Sequence, residues 1–100
     1  MATTSKALFR GAASTSSTTL YTVPSSTTTI VTNIVVDNTS ASAQTFTINL
    51  DGVAILSSAA IDANASAFFD LKQALATTKT ITGLASATSV TFHISGVEIN

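Results

Sequence analysis

The sequence predicts an all-β domain: an antiparallel β-sandwich of jelly-roll or immunoglobulin-like kind, with about seven or eight short strands. Three observations carry this. Short β-branched and aromatic runs recur along the chain, with turn signals every 8–12 residues. Two of them alternate strictly: Phe46, Ile48 and Leu50 against Thr45, Thr47 and Asn49, and Val90, Phe92 and Ile94 against Thr91, His93 and Ser95. Ser and Thr fill about a third of the chain while 45% of it is hydrophobic. Branched threonine suits a pleated surface, and patterned apolar residues argue for a packed core rather than disorder.

The elements follow in order. One hundred residues make one domain, 1–100, with residues 1–4 expected as a loose N-terminal tip. Ser5 to Arg10 is a short first strand and GAASTSS a loop of small residues. Thr18 to Val23 is a strand that stops at Pro24, because proline donates no ladder hydrogen bond. Thr27 to Asn38 is the densest β-branched run. Its apolar residues fall on both faces, so it wants cover on both sides. Ile30, Ile34 and Val36 are expected in the core, which leaves Val31 and Val35 for a bent second sheet or, the favoured reading, a neighbouring subunit.

Gln44 to Leu50 leads into Asp51-Gly52, a strong signal for a type I′ hairpin. In that register Leu50 faces Val53 and Ile48 faces Ile55, so one apolar face holds Phe46, Ile48, Leu50, Val53 and Ile55. Ser57 to Ala65 reads as a loop around Ile61. Ala67 to Leu71 is a strand with Phe69 and Leu71 inward and Phe68 outward. KQALA has helix propensity, but Phe68 to Thr77 carries no caps. Thr78 to Leu84 is a strand ended by Gly83. In Val90 to Ile99 the apolar parity changes after Gly96, as at a β-bulge.

Composition excludes several classes of function. The charged fraction is 9% and the net charge −1, with basic residues scattered at Lys6, Arg10, Lys72 and Lys79, so no phosphate-neutralising patch exists and no nucleic-acid partner is expected. Low net charge favours assembly over free solution. Without cysteine there is no disulfide, thiolate metal site or cysteine nucleophile. The N-terminal stretch has no apolar signal core, and no run reaches the ~20 residues of a membrane helix, so synthesis in a cytoplasm and no membrane partner are expected.

No site for catalysis, metal or cofactor emerges. His93 is the only histidine, on the outer face of the last strand, with no second ligand and no Gly-x-Ser-x-Gly elbow nearby. Asp62 and Asn64 resemble the start of a calcium loop but lack its Gly and distal Glu. Asn38-Thr39-Ser40 and Asn64-Ala65-Ser66 match the glycosylation pattern by chance in a Ser/Thr-rich chain. Asp70 and Lys72 are placed to pair on a strand face. The residual signal is an apolar surplus off the core parity. Val31, Val35, Phe68 and Leu56 are the candidate interface residues.

LYTVPSSTTTIVTNIVVDNTSASAQTFTINLDG, then IDANASAFFDL, then SVTFHISGVEIN, resembles a group of small structural proteins of tailed-phage virions. The resemblance rests on the order of soft motifs over Leu20 to Asn100. It departs near Thr77 to Ile81, where ATTKTI replaces an expected Gly-Asp. It implies a non-enzymatic β-sandwich made in the host bacterial cytoplasm and built into the virion. The role it favours is capsid decoration or cement, commonly as a homotrimer on the major capsid protein. Alternatives are a tail, fibre or baseplate part, or a carbohydrate-binding attachment module. The absence of Trp and a single Tyr disfavour the last of these.

Overall fold

A computed structural model describes residues 2–100 and contains strands but no helix. The strands are β1 (Thr3–Ala12), β2 (Thr18–Thr22), β3 (Thr28–Asn38), β4 (Gln44–Leu50), β5 (Val53–Ile61), β6 (Ser66–Leu75), β7 (Thr80–Ala85) and β8 (Val90–Ile99). They form two four-stranded antiparallel sheets, ordered β1-β8-β3-β6 and β2-β7-β4-β5. Apart from the β4–β5 hairpin, successive strands alternate between the sheets. This interleaving is a jelly roll, and it decides between the two topologies the sequence left open.

The two inner faces fill a single core. Phe46 and Phe92 are fully buried with ring centroids 6.2 Å apart at an edge-to-face angle, and Phe69 sits 6.3 Å from Phe46. Such pairs add about 0.5–1.5 kcal/mol beyond their area burial. Ile34, Val36, Ile48, Ile81 and Ile94 close the space around them. The Asp51-Gly52 turn has φ of 55° and 74°, the positive pair that a type I′ hairpin requires.

Bulges account for most departures from strict alternation. In β3 the register steps from Val31 to Asn33 against both neighbours: Thr32 is an extra residue against β8, and against β6 it faces the bulged pair Leu71 and Lys72. Inward parity therefore runs through Thr29 and Val31, then resets to Ile34, Val36 and Asn38. Val31 is fully buried, which corrects its expected place at an interface, and Ile30 is half-exposed on the outer face rather than in the core. In β5 the register against β4 skips Ile55, and again between Leu56 and Ala59. Leu50 does face Val53, but Ile48 faces Leu56 instead of Ile55. Leu56 thus packs toward the core, while Val53 and Ile55 are 69% and 39% exposed.

Other expectations are corrected in the same way. Residues 2–4 are not loose: Thr3 and Thr4 pair with Ile99 and Glu98, and Ala2 exchanges both backbone hydrogen bonds with Asn100. Met1 lies outside the described residues. Most of the stretch expected as a loop after Leu56 is strand as far as Ile61, and Gly83 lies inside β7. Gly96 carries no bulge. β8 runs regularly, and its neighbours bulge instead, β1 at Leu8 and β3 at Thr32. Gly96 and Glu98 consequently stay on the inner face, and Val97 and Ile99 point outward.

Candidate interaction surface

Four strands are sheet edges, and each is blunted. β1 carries Lys6 and Arg10 and bulges at Leu8; β6 carries Asp70 and Lys72 and bulges across from Thr32. β2 has five residues, an irregularity at Leu20, and Pro24 close behind. β5 is uncharged but holds two bulges. Charge, shortness and bulges are the devices that stop an edge from adding a foreign strand. By contrast, the interior β4–β7 ladder pairs without interruption.

The outer face of the β1-β8-β3-β6 sheet is different. Cross-strand partners share a face, so its residues can be read in rows. One row runs Arg10, His93, Val35, Phe68; the next runs Ala7, Ser95, Asn33, Asp70. Beyond them lies Ser5, Val97, Ile30, Ala74. Phe68 is 74% exposed, the most exposed large apolar side chain of the described residues. Val35 is half-buried beside it; Ile30 and Val97, also half-buried, lie two rows away across the Ser95, Asn33 and Asp70 row. Of the four candidate interface residues, the structure brings Val35 and Phe68 side by side on this face and turns Val31 and Leu56 inward. His93 lies on the outer face, as its alternation predicts. Ile30, Val97 and Arg10 join the patch unannounced by the sequence, because their places depend on the Thr32 and Leu8 bulges.

The opposite outer face presents Thr45, Thr47 and Asn49 from β4 and Thr80, Thr82 and the half-buried Leu84 from β7. It is neutral and hydroxyl-rich, with no exposed aromatic ring.

A polar cluster ties the two sheets together at one end. Tyr21, from β2, donates its hydroxyl to the Glu98 carboxylate on β8. Its oxygen lies 2.9 Å from the Thr29 hydroxyl, and since the phenol hydrogen is committed to Glu98, Thr29 donates. Lys6 completes the cluster 3.4 Å from Glu98, whose side chain is 12% exposed. The Tyr21 hydrogen bond, then that of Lys6, holds the Glu98 carboxyl below its ordinary range against the opposing effect of burial. Burial and the adjacent carboxylate push the Tyr21 phenol up.

The remaining sequence candidates resolve into structure. Asn38 is fully buried: its amide donates to the Ser42 and Asp62 carbonyls at 2.8 and 3.1 Å, and its oxygen accepts from the Ser40 backbone N–H at 3.0 Å. It staples the loops that follow β3 and β5, leaving no free amide for a sugar. Asp62 and Asn64 form the turn into β6, where Ala65 N–H reaches the Asp62 carbonyl at 3.2 Å. Among the described residues the ion pairs are Lys6–Glu98 and Lys79–Asp51, and Asp70 and Lys72 do not pair. Two open depressions flank β6, of about 600 Å³ beside Thr32 and Asp70 and about 250 Å³ beside Val53 and Ile55. The first also holds Lys72, and the Thr32 hydroxyl there donates to the Ser95 carbonyl at 3.2 Å. No protein-family model and no curated protein matches this chain.

Proposed function

We propose that this chain is a non-enzymatic structural protein of a tailed-phage virion, a decoration or cement protein that binds the outside of the head and stabilises joints between major capsid subunits. One observation supports the reading most. The molecule blocks strand addition at all four edges yet leaves Phe68, Val35, Ile30 and Val97 exposed or half-exposed on one rigid sheet face. An apolar patch on a low-charge domain marks a surface made to be covered. Its short Thr, Ser and Ala neighbours lose little rotamer entropy when immobilised. The jelly roll is a fold that viral capsid domains use, though also one that hosts other functions. The motif order from Leu20 to Asn100 points the same way.

The mechanism is mechanical. On the head, copies sit in the threefold clusters that the resemblance implies, and spread apolar and hydroxyl contacts over subunit joints that internal pressure would otherwise open. Cryo-electron microscopy of native virions tests this. Density for the chain over joints of the head supports it. Density confined to the tail would replace it with a tail, fibre or baseplate role.

A further inference from the structure

We propose that two copies of this chain stack sheet on sheet through the outer face of β1-β8-β3-β6, about a two-fold axis running along the strands. The contact concerns the chain free in solution; it uses the face that the virion role would cover, so the two coverings exclude each other, and it differs from a threefold cluster in closing at two copies.

The blunted edges leave a face, not an edge, as the route to association. The four strands of this sheet are 10, 10, 11 and 10 residues long. At ~3.3 Å per residue and ~4.8 Å between strands, the face projects to roughly 600 Å² per copy, or roughly 1,200 Å² for two. That reaches the lower bound of stable specific interfaces, about 1,200 Å².

Charge and chemistry favour a second copy as the occupant: on reversal the Arg10 row sets a cation on an aromatic ring, and the Val97 row sets apolar on apolar. A two-fold axis along the strands sets β6 of one copy over β1 of the other, and β3 over β8. Phe68 then meets Arg10 of the second copy, the geometry of a cation–π contact, at the rim where water still reaches the guanidinium. Val35 meets His93, Ile30 meets Val97, and Asp70 meets Ala7. No like charges oppose one another. An axis across the strands would instead set Asp70 on Asp70, a repulsive arrangement. The hydroxyl-rich opposite face carries the half-buried Leu84 but no exposed aromatic side chain to match Phe68.

Sedimentation and light scattering of the whole chain, from micromolar to millimolar concentration, test the proposal. Two copies are expected. Phe68→Arg places two guanidinium groups against each other and should weaken the dimer about tenfold or more. Adding Arg10→Phe to it restores the pair with its partners exchanged, and the dimer returns. Circular dichroism verifies the fold of each variant; if Phe68→Arg loses its β signal, Phe68→Ser gives the same reading. A single-copy mass throughout, a three-copy mass, an unaffected single variant, or a double variant that stays dissociated would each overturn the proposal. None of these outcomes bears on where virion density lies, so the two readings fail separately.

Discussion

At Gly96 a Cβ would collide with the Ile30 carbonyl oxygen and lie 2.9 Å from the Leu8 side chain. The bulges in β1 and β3 bring both groups over this point, so the missing carbon is what lets β8 pass straight beneath them. Gly96→Ala should cost about 2–3 kcal/mol of stability, read as a lower urea midpoint. Glu98 makes a second prediction at this scale. Its carboxyl is held below the ordinary range, chiefly by Tyr21. The unfolded chain therefore takes up its proton first as pH falls. The stabilisation is complete above the ordinary carboxylate pKa and is lost as pH drops through the folded value. Tyr21 works in the opposite sense: its raised pKa adds stability below its ordinary value, lost as pH rises through the folded one. Tyr21→Phe should cost about 1–3 kcal/mol at neutral pH and flatten the acid limb of the stability profile, measured by denaturation between pH 3 and 7.

Among the elements, β3 shows most plainly what the sequence could and could not reveal. Its β-branched run announced a strand wanting cover on both faces; the structure places it between β8 and β6, with one face in the core and the other, bearing Ile30 and Val35, half-exposed. Which of its residues face inward depends on Thr32, and nothing about a threonine within TIVTNIVV marks it as the extra residue. The three-residue step from Val31 to Ile34 was the available hint: both fit the core only if one residue between them bulges. The same blindness affected β5, where bulges at Ile55 and beyond Leu56 undid a register that the Asp51-Gly52 turn had set correctly at Leu50 and Val53. Turn chemistry is local and legible; bulges answer to packing between sheets and are not. Two substitutions separate the readings. Val31→Asp buries a lone carboxylate in the core and should unfold the chain, whereas Val35→Asp, on the outer face, should leave the circular dichroism spectrum and thermal midpoint nearly unchanged in dilute solution.

On the scale of the molecule, the two-layer all-β architecture followed from alternation and turn spacing, while the strand order did not. Pairing of β1 with β8, and of β2 with β7, joins opposite ends of the chain, and no local pattern encodes those partners. Of the candidate surface, Phe68 and Val35 were visible as apolar residues off the core parity. Arg10, Ile30 and Val97 became part of it only through the bulged register. The resulting molecule is a closed core with four defended edges and one undefended face, and its central claim is that this face is the surface covered on association. The absence of native cysteine allows a direct measurement. Ala7→Cys places a single thiol on the outer face of β1-β8-β3-β6, and Ala54→Cys places one on the outer face of the other sheet; both parent residues are exposed. Maleimide labelling rates are then followed as protein concentration rises. Slower labelling at position 7 with an unchanged rate at position 54 is the predicted result. Equal rates at all concentrations, or protection at position 54 instead, would contradict the account.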